Sequence, residues 1–252
     1  MVADDVGQSP AIDDGVVALA RAGHLSAASV LVREPGAAAA MAALEGVIPL
    51  GVHVQLEPAE LSGADSEQIA AMITEQVEAM IAAGHSPAHL DLHTAALYGL
   101  AEGGLLTSEE LAGGTRAEAE PAHGARTGAV RQGGVLAEAI AVAAAYHLRF
   151  RLPRRAPAGV SGAHRAAHAR AVTAAESAGV ALPDVLVTEV PHTTAVPAFL
   201  VGLARLPGQE VELVSHPALH ADPHDPLGPE RVRQHALLAS GALHPPTRQT
   251  PV

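Results

Sequence analysis

The stretch that most constrains this chain is residues 84–93, GHSPAHLDLH. It follows a helical pattern, turns at Ser86-Pro87, and sets His89, Asp91 and His93 at alternate positions. An extended segment has a side-chain period of two, so these three share one face while Ala88, Leu90 and Leu92 share the other. Three ionisable groups on one face of a short apolar strand cost too much desolvation to be filler. The pattern reads as half of a metal site, and the other half must come from elsewhere in the chain.

The chemistry of that other half is limited. There is no cysteine, so thiolate sites and disulfides are excluded and any metal must be held by histidine and carboxylate. Asp4-Asp5 supplies the carboxylates and His53, after Gly51, a further imidazole. Two imidazoles and a carboxylate with open positions suit a divalent ion such as zinc, iron or manganese. Such a site leaves room for water and substrate. Metal makes water an available nucleophile near neutral pH and polarises a carbonyl. A neighbouring carboxylate can then take the water's proton, and a histidine opposite can protonate a leaving amine. Consecutive side chains of an extended segment point apart, so Asp4 and Asp5 are expected to divide these tasks, one towards metal and one towards solvent or substrate.

Strand and helix patterns alternate along the chain. A helix opens at Ile12-Asp13-Asp14 and stops at Gly23-His24, a strand covers 26–32, and an alanine-rich helix covers 35–44. A strand over 47–56 carries His53 near its end. The clearest helix, 64–83, has Ile69, Met72, Ile73, Val77, Met80 and Ile81 at helical spacing. Residues 100–134 lack periodicity, carry three Gly-Gly pairs and read as a flexible insertion with one short helix near 108–111. Beyond it come helix 135–146, strand 148–152, helix 162–177, strand 184–188, helix 196–203, strand 211–215 and helix 229–239. This alternation predicts parallel βα units. His53, the trio at 89–93, Arg151 and His216 all fall at or near the C-terminal ends of strands, the catalytic face of barrel-like α/β folds.

Composition excludes several partners. A net charge of −12, with no basic cluster interleaved with aromatics, argues against nucleic acid and anionic membranes. Fifteen histidines make that charge shrink as pH falls through about 6.5. No apolar run reaches the roughly 20 residues of a membrane helix, and the acidic start is not a signal peptide, so a cytoplasmic protein is expected. Tyr98, Tyr146, Phe150 and Phe199 are the only aromatic rings of the Phe, Tyr and Trp type, few for stacking on sugars.

Five motifs, in order, resemble the YdjC-like carbohydrate deacetylases, the family of chitooligosaccharide deacetylase. They are ADDVG at 3–7, GVHVQL at 51–56, HLDLH at 89–93, RLPR at 151–154 and SHPA at 215–218. The resemblance implies a single domain over residues 1–252, interrupted by the insertion at about 100–134, with a barrel-like (βα) fold related to TIM barrels. It implies a metal-dependent hydrolase, acting on C–N bonds of linear amides, that removes acetyl groups from N-acetylated amino sugars or short oligosaccharides. By motif position Asp5, His53 and His93 would be metal ligands, Asp4 the general base and His216 the general acid. Arg151 would hold a catalytic carboxylate in place, and His89 and Asp91 would orient the ligands from behind. The metal implied is Mg²⁺, with Zn²⁺ or Mn²⁺ as alternatives. The partner is a small N-acetylated sugar, and a homodimer stays open.

The chain also departs from the family pattern. Only Met1-Val2 precede Ala3-Asp4-Asp5 where the family has a full apolar strand, so most of the first strand is expected to be missing. Val6 replaces a phenylalanine, and Thr94-Ala95-Ala96-Leu97 replace a histidine-rich tail. Two alternatives follow: a degenerate, non-catalytic metal- or sugar-binding relative, or a metal hydrolase acting on another amide or an ester.

Overall fold

A computed structural model describes residues 1–98, 132–156 and 162–243. Seven strands form one parallel sheet: β1 (Val2–Val6), β2 (Ala27–Val30), β3 (Leu50–Val54), β4 (His89–Leu92), β5 (Arg149–Phe150), β6 (Val185–Val187) and β7 (Val211–Ser215). Their order is β5-β4-β3-β2-β1-β7-β6, so the chain walks outward from β1 to β5 and then continues on the other side of β1. The sheet curls. Phe150 N–H donates to the Ala181 carbonyl (3.0 Å), Arg154 N–H to Pro183 (2.9 Å) and Arg155 N–H to Asp184 (3.0 Å). These bonds draw the β5 edge towards the segment leading into β6, giving a barrel-like α/β fold related to TIM barrels, as the alternation predicts.

The helices between strands are α1 (Pro10–Arg21), α2 (Ala37–Leu44), α3 (Pro58–Leu61), α4 (Ser66–Ala82), α5 (Gln132–Ala145), α6 (Gly162–Ser177), α7 (Val196–Ala204) and α8 (Gly228–Ala239). Local chemistry sets their ends. Ser9 caps α1, accepting from Ile12 N–H, and Pro10 fits the first turn because its missing N–H would be unpaired there. Asp65 and Gln68 cap α4 reciprocally, each side chain accepting the other's backbone N–H at 2.9 and 3.0 Å. β1 and β3 are buried along their whole length, the mark of parallel strands covered on both faces. The core is one cluster of aliphatic side chains, and small residues such as Ala37 and Ala40 let α2 pack closely.

Two expectations change. The first strand is not missing: Val2–Val6 is a five-residue strand paired with β2 on one side and β7 on the other. Val2 and Ala3 pair with both neighbours, Val6 rejoins β2 at Val30, and Asp4 and Asp5 lie within the strand between them. The expected insertion and its short helix fall largely on 99–131, outside the described residues, but 132–134 form the first turn of α5 despite Gly133-Gly134. Among the described residues no helix is long and apolar enough to cross a membrane.

Candidate metal centre

Five of the seven strands deliver polar residues to the same end of the sheet. β1 carries Asp4 and Asp5, β3 carries His53, and β4 carries Asp91 with His93 one residue beyond the strand. Arg151 directly follows β5, and His216 directly follows β7. The β3–β4 register places His53 opposite Asp91.

Asp4 and Asp5 do not diverge as an extended pair would. The pairing of β1 with β2 slips between Ala3 and Val6, and Asp5 adopts a left-handed φ of 64°. The resulting bulge turns both carboxylates towards His53: Asp5 Oδ1 lies 3.4 Å and Asp4 Oδ2 3.9 Å from its Nε2. A non-glycine residue in that conformation stores of the order of 1–3 kcal/mol and persists only where its surroundings dictate it. Here they do. Gly7, at φ 100°, donates its N–H to Asp13 Oδ1 (2.7 Å), Gln8 N–H reaches the Asp5 carbonyl (3.2 Å), and Leu31 N–H takes the Val6 carbonyl (2.8 Å). Gly36 passes so near that a Cβ there would come within 2.6 Å of the Gly7 carbonyl oxygen.

Asp5, His53 and His93 converge on one point. Their candidate ligand atoms lie within 4.8 Å of one another, and His93 Nδ1 is 3.3 Å from Asp5 Oδ1. His53 and His93 meet edge to face with ring centroids 5.0 Å apart. His53 Nδ1 hydrogen-bonds Asp91 Oδ2 at 3.0 Å, which points Nε2 at Asp5. Asp5 Oδ1 and His53 Nε2 are buried with no hydrogen-bond partner, an arrangement that is costly unless a cation or water completes it. The residues therefore fit a divalent metal: two imidazole nitrogens and one carboxylate oxygen, the first imidazole oriented by a carboxylate behind it. A second combination, Asp4, His53 and Asp91, shares His53 and is wholly buried.

The carboxylates around His53 favour its charged form. Burial alone would lower His53, but Asp91, Asp4 and Asp5 outweigh it and push the imidazole up to about 10. Burial would raise Asp5, yet the imidazoles of His53 and His93 and the charge of His216 hold its carboxyl well below the usual range. Burial likewise opposes ionisation of Asp91, and Arg151 and His53 overcome it.

Arg151 ties the interior together. Its Nη1 pairs with Asp4 Oδ2 (2.7 Å) and with Asp91, its Nε pairs with Glu212, and its Nη2 donates to Ser29 Oγ at 3.0 Å. It thus contacts two carboxylates of the cluster, Asp4 and Asp91. His89, expected behind a ligand, bonds Ser29 Oγ at 2.8 Å, and Ser29 in turn accepts from Arg151. Asp91 stands behind His53, on the Nδ1 side of its ring. His216 is half-buried, with its backbone N–H held by Gln234 Oε1 at 2.7 Å.

Sequence reasoning missed Arg231, Asp225, Gln234, Glu212 and Ser29. Arg231, on α8, places Nη2 at 2.7 Å from Asp5 Oδ2 and Nε at 2.6 Å from Asp225 Oδ2. A signal was available: Arg231, Gln234, Leu237 and Leu238 form one helical stripe, so the two polar residues continue an apolar face.

Residues 1–102 match the model of the YdjC-like protein family, a span that holds Asp4, Asp5, His53, Asp91 and His93. No curated protein matches the chain. Among solved structures, a protein from Enterococcus faecalis V583, provisionally named for cellobiose-phosphate cleavage, superposes with a TM-score of 0.66 at 18% identity, over 96% of this chain and 90% of that one. A lactam utilization protein from Thermus thermophilus gives a TM-score of 0.45 at 13% identity, over 96% of each chain. At these identities the first likeness speaks for the fold, and the second carries no weight.

Proposed function

We infer that this chain, YdjC-like over its matched residues 1–102, is a metal-dependent hydrolase that removes acetyl groups from N-acetylated amino sugars or short oligosaccharides. The observation that carries the reading is the convergence of Asp5, His53 and the exposed His93, with Asp5 Oδ1 and His53 Nε2 buried and unpartnered. The alternative of a degenerate, non-catalytic relative drew on a missing first strand, and β1 is present inside the sheet between β2 and β7.

A divalent cation held by Asp5, His53 and His93 would supply Lewis acidity, polarising the amide carbonyl and acidifying water. Mg²⁺ is the ion that family resemblance suggests, while the two imidazoles suit Zn²⁺ or Mn²⁺ better. The protein's own groups divide the remaining work. Asp4 accepts the proton of the attacking water: its Oδ2 is pinned by Arg151, and its Oδ1 is buried without a donor. Arg151 keeps Asp4 and Asp91 in fixed orientation, which matters because proton transfer demands hydrogen-bond reach. Asp91 fixes the ring plane of His53 through Nδ1. His216, at the end of β7, protonates the departing amine, with its main chain anchored on α8 through Gln234.

The deciding experiment strips the full chain of metal, reloads it with Mg²⁺, Mn²⁺, Zn²⁺ and Co²⁺ in turn, and measures bound metal by elemental analysis. Acetate release from a panel of N-acetylated sugars and other acyl amides follows with each loaded form. About one equivalent, lost in His53→Ala, together with acetate release, supports the reading. Binding of metal with turnover only of a different amide would transfer the chemistry to another substrate. No metal under any loading would overturn it.

A further inference from the structure

We propose that α8 positions the candidate ligand Asp5: Arg231, itself braced by Asp225, captures Asp5 Oδ2 and leaves only Oδ1 to face His53 and His93. This rests on the metal-centre reading above and goes beyond it in assigning the orientation of the carboxylate to residues 225 and 231, which lie outside the family-matched span.

The geometry supports a positioning role. Arg231 Nη2 sits 2.7 Å from Asp5 Oδ2 and 3.2 Å from Gln8 Oε1, while Asp225 Oδ2 takes its Nε at 2.6 Å. Arg231 and Asp5 lie in the interior, each only 3% exposed, while Asp225 is half-buried and Gln8 exposed. A carboxylate can offer a cation one oxygen or two, and rotation about its last torsion exchanges them. With Oδ2 held by a guanidinium, rotation is stopped and Oδ1 alone remains for a cation. Asp5 needs such a restraint more than an ordinary strand residue does, since its left-handed backbone aims its side chain away from the regular strand direction.

Arg231 is a poor candidate for a mere helix anchor. The docking of α8 already has backbone ties, with Ala218 N–H on the Arg231 carbonyl (3.2 Å) and His216 N–H on Gln234 Oε1 (2.7 Å). Its side chain is moreover an expensive way to hold a helix, because Nη1 is buried with no partner among the described residues. A buried ion pair that is costly to desolvate is better explained by the orientation it imposes.

The test is calorimetric titration of the metal-stripped full chain with Mn²⁺, and with Zn²⁺ by competition against a chelator. Arg231→Met should raise the dissociation constant roughly 10- to 100-fold, the range typical for residues that orient metal ligands. Arg231→Lys keeps the charge but not the fork and should fall between, and Asp225→Asn should weaken binding in the same direction. Arg233→Met is the control. It removes an ion pair on the same helix, whose partners are Glu230 and the carbonyls of Val190 and Pro191, and should leave metal affinity within twofold. Should Arg231→Met fail to fold by circular dichroism, Arg231→Lys and Asp225→Asn carry the test. Wild-type affinity in the folded Arg231 and Asp225 variants, or equal weakening in Arg233→Met, would overturn the inference while leaving the metal reading intact. Failure of the wild-type chain to bind any metal would overturn both.

Discussion

His53 and Asp91 face each other across the β3–β4 pairing and share a 3.0 Å hydrogen bond from Nδ1 to Oδ2, in a layer where both side chains are almost fully buried. The bond fixes which imidazole nitrogen is free for a cation. Asp91→Asn should therefore weaken metal binding roughly 10- to 100-fold, since the orienting charge is lost even if the amide oxygen still accepts from Nδ1. Titration of the stripped variant with Mn²⁺ reads this directly. A dissociation constant within twofold of wild type would mean that Asp91 serves Arg151 alone.

Gly51 is required by a neighbour rather than by its own backbone. A Cβ at this position would run into the His89 ring, which is held against Ser29 Oγ at 2.8 Å. Gly51→Ala should cost about 1–3 kcal/mol, the usual penalty of overpacking a filled interior. In a His89→Ala background the same substitution should be close to neutral, because the clash has been removed. Denaturant melts of the four chains complete the cycle, and additive losses would dissociate Gly51 from His89.

Much of this architecture was legible in the chain. Strand 211–215 and helix 162–177 coincide with β7 and α6, because apolar runs and helical patterns bounded by glycine and proline leave little freedom. The centre was legible where chemistry was concentrated: the alternation in HLDLH, the Asp pair, and an arginine and a histidine at strand ends. What escaped was contact made by tertiary approach. Arg231 lies 226 residues from Asp5 in sequence, on a helix whose charged composition resembles a surface. Glu212 interrupts β7 and looks like an edge charge until Arg151 meets it. The convergence of Asp4 and Asp5 was misjudged for a local reason, since regular alternation was assumed where a bulge and a positive φ intervene.

His168 supplies a pH dependence remote from the centre. It lies on the buried face of α6, where desolvation lowers its pKa below 6.5 against the opposing pull of the Pro153 carbonyl. The unfolded chain takes up this proton near 6.5 while the folded one resists it, so protonation favours unfolding. The stability that His168 contributes should be fully present above about pH 6.5 and decline as pH falls below it. His89 and His235, also lowered by burial, contribute with the same sign. His168→Gln should flatten the decline of the melting temperature between about pH 7.5 and 5.5, and parallel slopes for variant and wild type would refute its share.

Asp4 offers the sharpest separation of binding from turnover. It meets Arg151 at 2.7 Å through Oδ2, whereas the ligand contacts of Asp5 run through a different carboxylate on the next residue. Asp4→Asn keeps the shape and a hydrogen-bond acceptor for Arg151 but cannot take a proton. Metal stoichiometry should stay at the wild-type value while kcat for acetate release falls roughly 10²- to 10⁴-fold, the usual contribution of a general base. KM should change little if the loss is confined to the transition state. If the metal is lost together with activity, Asp4 belongs to the ligand set, as the convergence of Asp4, His53 and Asp91 would allow. If acetate release continues at the wild-type rate, the proton goes elsewhere, and the half-buried His216 beyond β7 becomes the residue to test as base.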